Sequence, residues 1–332
     1  MYPIKFEAWL RTMVWGGEKI APYKKIKTAQ NKIGESWEIS GVEGHLSIVK
    51  NGALAGLNIR DIIRKYKGAL VGEKVYSRYG DEFPLLIKFI DAESDLSIQV
   101  HPDDAMAERL YGKGAKGKTE MWYVVAAEPG AFLLSGVKKE VSPQEYVNLV
   151  EENKITEILA KHKISEGDVF FLPAGRIHAI GAGSFIAEIQ QTSDLTYRIY
   201  DYGRKGLDGK PRELHTELAK EAIDYKVYPD YKTSYKEKLN EENEVVKCKY
   251  FTTAIYDLDR PFEKKLKDTD SFVVVICVEG CGKIVDLEKE GDALKEEAVE
   301  IQQGETVLIP ASSNKITFIP NGRMKLITSH ID

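Results

Sequence analysis

The 332-residue sequence lacks any long hydrophobic run, and its longest apolar stretch, near Phe272–Val278, is far shorter than the roughly 20 residues that a membrane helix needs. It has only three cysteines, an odd and small number that fits a reduced protein better than a disulfide scaffold. The opening residues carry a charge where a signal peptide requires an apolar core. These features predict a cytoplasmic protein that does not act at a membrane.

A block of basic residues is also lacking. Lys and Arg number 47 against 52 Asp and Glu, which gives a net charge of −5 and argues against a nucleic-acid partner. No glycine-rich loop leads from a predicted strand into a helix, so dinucleotide-binding and P-loop folds are excluded. What is present, 43% hydrophobic and 30% charged residues, is typical of a globular protein, and the length predicts two domains.

Helical patterning is sparse. Apolar residues at three- and four-residue spacing predict a helix over Leu57–Tyr66. An acidic first turn predicts a second helix over Asp103–Leu110, and a capping box at Ser142 predicts a third that runs toward Glu152. A further short helix is expected over Ile155–His162.

Most of the chain has the texture of short β-strands, with β-branched and aromatic runs broken by Gly, Pro and Asp. Such strands at turn-punctuated intervals favour sandwiches or barrels over alternating βαβ units. The segments predicted as strands are Leu86–Ile90, Ser97–His101, Met121–Val125, Phe132–Leu134, Val169–Leu172, Ser184–Gln190, Lys247–Asp257, Ser271–Val278, Thr306–Ile309, Lys315–Ile319 and Met324–Ser329.

One internal repeat suggests that the same β-fold is used twice. Gly167–Pro173 consists of a glycine, five residues with an apolar run, and a proline, and Gly304–Pro310 repeats that form 137 positions later. The alternative is a common turn–strand–turn pattern that recurs by chance. Between the two copies, Tyr235–Glu244 is so highly charged that it buries little apolar surface, which predicts a linker.

Three segments together contain the donors of an open metal site. Gln99 and His101 are two residues apart in a predicted strand, so their side chains project to one face. Glu120 and His178 supply a carboxylate and a second imidazole, the latter just after a Pro-Gly turn. Two histidines and a glutamate, with glutamine as a possible fourth donor, are the ligand set of an open metal site such as that of zinc, because three protein donors leave room for water or substrate. Taken singly, each histidine is more simply explained as hydrogen-bonded scaffold.

A fourth segment, Glu188–Asp201, is polar although its flanks are strand-forming. Arg198 offers a planar fork suited to phosphate, and Glu188 offers a carboxylate for proton transfer. A surface strand with an ion pair remains the alternative explanation of this segment.

These residues carry a resemblance to a known family. Gly167–His178 matches the second cupin motif through its histidine, although Ala182 stands where that motif has asparagine, and Gln99-Val100-His101 is similar to the first motif with Gln for its first histidine. The segments QVHPDD, GKTEMWYV and EIQQTSDLTYRIYDYGR resemble the zinc-dependent type I mannose-6-phosphate isomerases of the compact bacterial type.

The resemblance implies a mainly β fold of two cupin (jelly-roll) β-barrel domains, with a few short helices packed on the first. Residues 1–235 would form the metal-binding catalytic domain and residues 245–332 a degenerate cupin domain. In the second domain Ser312 and Lys315 occupy the Gly and His positions of the motif, so no metal site is expected there.

The resemblance also implies interconversion of mannose 6-phosphate and fructose 6-phosphate through an enediol, with one Zn²⁺ per chain. The expected partner is a small phosphosugar, and the protein is expected to be a monomer or homodimer. The implied metal ligands are Gln99, His101, Glu120 and His178; the catalytic candidates are Arg198, Glu188 and Lys118; the substrate-binding candidates are Lys88, Lys118 and Arg198.

Several alternatives stay open at this point. Glu188 is the first choice of general base, with Lys118 or a hydroxide on the metal as the others. Two histidines and a carboxylate are also the ligand triad of non-haem iron cupin oxygenases. A non-catalytic phosphosugar-binding cupin is the third possibility.

Overall fold

The computed structural model describes residues 1–290 and 293–332, with side chains described outside 287–296. The described chain is mainly β, as the sequence predicts. Its strands are β1 (Ile4–Lys5), β2 (Trp9–Gly17), β3 (Ile33–Ser40), β4 (Leu85–Ala92), β5 (Ile98–Val100), β6 (Glu120–Ala127), β7 (Phe132–Val137), β8 (Leu159–Lys163), β9 (Val169–Leu172), β10 (His178–Ile180), β11 (Ser184–Gln191), β12 (Tyr197–Tyr200), β13 (Lys232–Thr233), β14 (Asn243–Lys247), β15 (Thr252–Leu258), β16 (Phe262–Lys265), β17 (Val273–Glu290), β18 (Ala293–Gln302), β19 (Thr306–Ile309) and β20 (Lys315–His330).

Short α-helices interrupt the strands. The three helices predicted over Leu57–Tyr66, over Asp103–Leu110 and from Ser142 toward Glu152 are confirmed. At the third, the Ser142 hydroxyl accepts a hydrogen bond from the Glu145 amide at 3.1 Å, as a capping box requires. The helices are α1 (Ile20–Tyr23), α2 (Ile59–Tyr66), α3 (Gly68–Val71), α4 (Glu73–Tyr79), α5 (Asp104–Tyr111), α6 (Pro143–Glu151) and α7 (Thr216–Ala222).

The helix predicted over Ile155–His162 is wrong in its second half. Only a single 3₁₀ turn forms, over Ile155–Ile158, and the chain then continues as β8. Strand β8 pairs antiparallel with β7, where Leu134 faces Lys161. Leu159 at the start of β8 is buried, whereas Lys161 and Lys163 are exposed. Pairing with the edge of β7 outweighs the local preference of this segment for a helix.

The repeated Gly–(five residues)–Pro pattern forms the same local structure twice. Val169–Leu172 and Thr306–Ile309 are strands with the predicted bounds. Each follows a glycine with positive φ, +87° at Gly167 and +82° at Gly304, a conformation that favours glycine. The prediction of a turn, a strand and a terminating proline is therefore confirmed in both copies.

The chain divides into two compact units. One comprises Met1–Trp9, Trp37–Leu86 and Ser234–Asp332, and the other comprises Leu10–Ser36 and Ile87–Thr233. The first contains an eight-stranded sheet of order β1-β19-β17-β20-β15-β14, with β16 paired to β20 and β18 to β17. Its core includes Tyr256 and Phe318, both fully buried.

The second unit contains a five-stranded sheet of order β12-β5-β10-β7-β8. One face of this sheet packs against α6 and α7 through an apolar cluster that includes Ile98, Val100 and Ala179. Because side chains alternate along a strand, the residues between them in β5, β10 and β12 point to the opposite face. That opposite face carries the site described below.

A seven-stranded sheet has the order β13-β9-β6-β11-β4-β2-β3. Trp122 and Val124 of β6 join Leu133 and Ile180 of the five-stranded sheet in one buried cluster. β3 also pairs with β4, which joins β4, β2 and β3 in a local ring, but neither sheet closes into a barrel, so the expected cupin-like fold is built from open sheets. The predicted fold class is confirmed, with hydrogen bonding that does not close a barrel.

Candidate metal centre and adjoining cavity

Three predicted ligands converge on one point. His101 follows β5, Glu120 begins β6 and His178 begins β10, and the nearest ligand atoms of all three lie within 4.8 Å of one another. Each side chain is almost fully buried, with at most 2% exposed. This set of two imidazoles and a carboxylate could hold a metal ion.

Strand register places three predicted site residues in one row. Gln99 of β5 lies opposite His178 of β10 on one side and opposite Arg198 of β12 on the other. Directly opposed residues of adjacent strands share a face of the sheet, so all three side chains point toward the same space. The sequence predicts these residues separately, and the register brings them together.

Gln99 contacts the cluster through its amide. Its Nε2 lies 3.3 Å from His178 Nε2 and donates to the ring lone pair. Turning the amide by half a rotation would bring its oxygen to that place, since the two ends of a glutamine amide have nearly the same shape. Ligation by Gln99 stays a prediction.

Main-chain carbonyls fix the tautomer of both histidines. His101 Nδ1 donates to the Leu195 carbonyl and His178 Nδ1 to the Arg176 carbonyl, each at 2.8 Å. The proton therefore sits on Nδ1, and each Nε2 keeps a lone pair that faces Glu120 at 3.5 Å and 3.3 Å. Burial, with smaller contributions from nearby charges including Lys118, lowers the pKa of His178 to about 4 and that of His101 well below its ordinary value. Both rings are thus neutral, the form that ligates a metal.

Glu120 is the charged member of the cluster. Burial and then repulsion from Glu188 raise its pKa to about 7, against the opposing effect of Lys118, whose Nζ lies 3.1 Å from Glu120 Oε2. Neither Glu120 oxygen has a hydrogen-bond partner among the described residues, and the same holds for His101 Nε2. Lys118 forms an ion pair with Oε2, whereas Oε1 and His101 Nε2 have neither a donor nor an ion-pair cation beside them in the described part of the chain, and a metal ion between them would satisfy both.

A second buried pair lies beside the cluster. Lys88 Nζ is 3.2 Å from Glu188 Oε1, and Trp122 Nε1 donates to Glu188 Oε2 at 2.8 Å. Burial alone would raise the pKa of Glu188, but Lys88 and Lys118 outweigh it and the pKa is lowered. For Lys118, burial opposes the charge while the carboxylates of Glu120 and Glu188 outweigh it, so its pKa is raised. Near neutral pH, Glu188 is ionised and Lys118 is protonated.

Arg198 is held by main-chain atoms on the far side of Gln99. Its amide donates to His215 Nδ1 at 3.1 Å, and its Nη1 donates to the Glu213 carbonyl at 3.1 Å. Its buried Nε has no hydrogen-bond partner among the described residues. Burial, followed by repulsion from Arg212, lowers the pKa of the guanidinium. Both observations indicate a cation that lacks an anion.

The charged side chains beside the metal cluster, together with Gln99, border a cavity of about 280 Å³. Five of the residues predicted from the sequence border it, namely Lys88, Gln99, Lys118, Glu188 and Arg198. The four charged residues that the sequence did not single out are Arg11, Glu35, Asp194 and Arg212.

Arg212 has the clearest position among the missed residues. Its Nε and Nη2 donate to the two oxygens of Asp201 at 2.7 Å and 2.5 Å. Arg204 also donates to Asp201, at 2.9 Å through Nε, but it does not border the cavity. One buried carboxylate thus serves two arginines. The sequence signal that could have indicated Arg212 is the presence of Asp201, Arg204 and Arg212 at the end of the polar segment and in the eleven residues after it.

The fold and the site define a cupin-type protein with a candidate metal centre beside a charged cavity. Residues 4–127 match the family model "Phosphomannose isomerase type I, catalytic domain", and residues 241–331 match "Mannose-6-phosphate isomerase, cupin domain". A curated mannose-6-phosphate isomerase of Bacillus subtilis is 31% identical over 331 residues, 99% of each chain. One of Streptococcus mutans is 30% identical over 329 residues, 99% of this chain and 98% of that one.

A solved structure gives the same result. The crystal structure of the mannose 6-phosphate isomerase from Bacillus subtilis is similar with a TM-score of 0.87 and 29% identity, and the match covers 100% of both chains. The chain belongs to the type I mannose-6-phosphate isomerase family. The resemblance read from the sequence motifs is confirmed, and the comparisons lend no support to the oxygenase or to the non-catalytic sugar-binding protein.

Among the described residues, no helix combines the length and the apolar character required to cross a membrane. The cytoplasmic location and the monomeric or homodimeric state both stay predictions.

Proposed function

We propose that the protein interconverts mannose 6-phosphate and fructose 6-phosphate with one zinc ion held by His101, Glu120 and His178, and with Gln99 as fourth protein donor. The observation that carries this proposal is the convergence of two imidazole Nε2 atoms and a buried carboxylate beside a cavity whose charged lining is mostly cationic. Nitrogen and carboxylate donors in this number suit zinc with a position left for substrate. A bound zinc ion acts as a Lewis acid that stabilises negative charge on the sugar oxygens as it develops.

We assign the transfer of the carbon-bound proton to Glu188 as the general base. Isomerisation takes a proton from C2 of the open-chain aldose and returns it to C1, while the hydroxyl proton moves from the oxygen on C2 to the oxygen on C1. Glu188 Oε2 is occupied by Trp122, whereas Oε1 faces Lys88 and can accept and return the carbon-bound proton. The lowered pKa of Glu188 keeps the carboxylate in its accepting form.

The cations have separate roles in this proposal. Lys118 is protonated and lies against Glu120, so it supports negative charge on the substrate and is a weaker candidate for the base. Lys88 holds Glu188 and adds positive charge to the cavity. Arg198 has an unpartnered Nε and binds either the enediolate or the phosphate of the substrate.

We also retain the proposed domain roles. Residues 1–235 form the catalytic domain, and residues 245–332 form a structural cupin domain without a metal ligand set. Ser312 and Lys315 at the Gly and His positions of the second motif support this assignment.

The proposed function is tested by removing and restoring the metal. Purified protein is assayed with mannose 6-phosphate in a coupled assay for fructose 6-phosphate, before and after chelation and then after zinc addition. We expect turnover to disappear on chelation and to return with about one zinc per chain, because the metal stabilises the developing oxyanion.

Two measurements in the same experiment distinguish the alternatives. Oxygen uptake with bound iron would indicate an oxygenase, whereas activity in anaerobic buffer supports isomerisation. Tight phosphosugar binding without turnover in the zinc-loaded protein would indicate a binding protein. Full turnover by protein shown to be free of metal would refute the proposed chemistry.

Arg212 and Arg204 offer a matched pair for locating the phosphate. Arg212→Gln is expected to raise KM for mannose 6-phosphate roughly tenfold to a hundredfold, because a cavity-facing charged donor is lost. Arg204→Gln removes the other arginine from the same Asp201 carboxylate without changing the lining of the cavity, so KM should change little. Equal changes in both variants, at matched melting temperatures, would contradict the assignment of Arg212.

A further inference from the structure

The turn Pro173–Arg176 connects to all three members of the metal cluster. The Gly175 amide donates to the His101 carbonyl at 2.9 Å, and the Arg176 carbonyl accepts from His178 Nδ1 at 2.8 Å. The same turn therefore contacts one histidine through its main chain and orients the ring of the other.

The third connection runs to the strand that carries the carboxylate. The Ala174 amide donates to Thr119 Oγ1 at 3.3 Å, and Thr119 immediately precedes Glu120. A displacement of this turn would consequently move ligands on three different elements.

Gly175 has no room for a side chain. Its φ is +86°, and a Cβ would lie 2.9 Å from the Ala222 carbonyl at the end of α7. The Gly175 carbonyl in turn accepts from the Asp224 amide at 2.8 Å. The segment after α7 is thus packed directly on the turn.

Arg176 fastens this segment to the turn through its side chain. Its guanidinium carbon lies 4.7 Å from the ring centre of Tyr228 and 4.6 Å from that of Tyr231. The two rings meet in a T-shaped contact with centres 5.9 Å apart, so the guanidinium lies over both of them rather than in a sandwich. Arg176 is only 8% exposed, and a cation over an aromatic ring is attracted more strongly when water is excluded.

Both tyrosines are anchored in turn. Tyr231 donates its hydroxyl hydrogen to the Val137 carbonyl at 2.7 Å, and Tyr228 donates to Asp224 Oδ2 at 2.6 Å. The clamp formed by Arg176, Tyr228 and Tyr231 is consequently attached to β7 and to the segment that follows α7.

We propose that Arg176 is a positioning residue for the metal centre, whose side chain, packed over the rings of Tyr228 and Tyr231, fixes the carbonyl that orients the ring of His178. This inference rests on the proposed function in that it requires the cluster to bind a metal. Groups that orient a ligating histidine typically change metal affinity about 10- to 100-fold when they are lost. Arg176 contacts the ligand only through its own main-chain carbonyl, so its substitution removes no ligand residue and acts on how the His178 ring is held.

The first test compares zinc affinity in the full-length protein, measured by competition with a chromophoric chelator in the absence of sugar. Arg176→Gln is expected to bind zinc at least about tenfold more weakly than the wild-type protein. Arg176→Lys should fall between them, because an ammonium keeps the charge but lacks the planar face.

Lys161→Gln is the matched control. Lys161 also forms a cation–π contact, 3.7 Å from the ring centre of Phe132, but it has no link to a metal ligand. This variant should retain wild-type zinc affinity. Equal losses in Lys161→Gln and Arg176→Gln would contradict a specific role for Arg176.

A second pair of variants keeps the test decisive if Arg176→Gln does not fold. Both Tyr228→Leu and Tyr228→Phe remove the hydroxyl of Tyr228. Only Tyr228→Leu also removes the aromatic ring that contacts Arg176. The visible absorption of the cobalt-loaded protein, measured at saturating cobalt, reports ligand geometry independently of folding stability. We expect altered bands for Tyr228→Leu and wild-type bands for Tyr228→Phe.

The outcomes separate this inference from the function on which it rests. Wild-type zinc affinity and cobalt spectra in both Arg176→Gln and Tyr228→Leu would overturn the positioning role alone. A wild-type protein that binds zinc without isomerising the sugar would refute the proposed activity and leave the positioning role intact. A wild-type protein that takes up no metal would refute both.

Discussion

Replacing His178 with alanine is expected to leave purified protein with almost no zinc and almost no isomerase activity. His178 is one of the three converging His and Glu donors of the cluster, and its Nε2 is held toward Glu120 by the bond from Nδ1 to the Arg176 carbonyl. Loss of a direct ligand should weaken zinc binding by more than the roughly 100-fold that follows from loss of an outer partner. Metal content after dialysis, measured by elemental analysis, and turnover in the coupled assay check the prediction.

His162→Ala is the control for this substitution. His162 lies on β8 and is not a member of the cluster, and its Nε2 bonds the Ser135 carbonyl of β7 at 3.1 Å. That variant should keep its zinc. Full metal occupancy in His178→Ala would refute ligation by His178.

Arg198→Ala is expected to lose turnover by about a hundredfold or more while its zinc content stays at the wild-type level. The guanidinium has a buried, unpartnered Nε and borders the cavity, so the substitution removes a donor and a positive charge from the place where the substrate or its enediolate would bind. Removal of one such preorganised donor typically costs about 10²- to 10³-fold in turnover. Turnover in the coupled assay and elemental analysis of the same preparation are the two measurements.

Arg198→Lys serves as the conservative comparison. A lysine restores the charge without the planar fork, so a partial recovery of turnover is expected. Wild-type turnover in Arg198→Ala would remove the role of this residue. Loss of zinc together with turnover would show instead that Arg198 supports the metal centre.

The convergence of His101, Glu120 and His178 could be predicted from the sequence because the motif signals around them are short-range. Gln99 and His101 alternate along one strand, and the Pro-Gly turn before His178 restricts where that ring points. The structure brings His101, Glu120 and His178 together as the motif resemblance implies. Sequence alone could not give the register that places Arg198 beside Gln99. That register is set by the pairing of β12 with β5, two strands almost 100 residues apart along the chain.

The missed residues and the wrong helix have a common physical cause. Arg212 reaches the cavity from a segment without regular structure, where no periodicity indicates direction. The second half of Ile155–His162 becomes a strand because β7 offers it an edge for pairing. In both cases the deciding interactions come from residues distant in sequence, which local propensity does not encode.

The row of His178, Gln99 and Arg198 across three hydrogen-bonded strands fixes the distance between the candidate metal ligand at one end and the arginine at the other. Neighbouring strands lie about 4.8 Å apart, so the backbones that carry the first and last of these residues are separated by roughly 10 Å. Sliding one strand by a single position would expose its apolar side chains, so this spacing resists adjustment. A change in which sugar phosphate the enzyme accepts should therefore arise from substitutions in the irregular segments around the sheet, such as the one that carries Arg212.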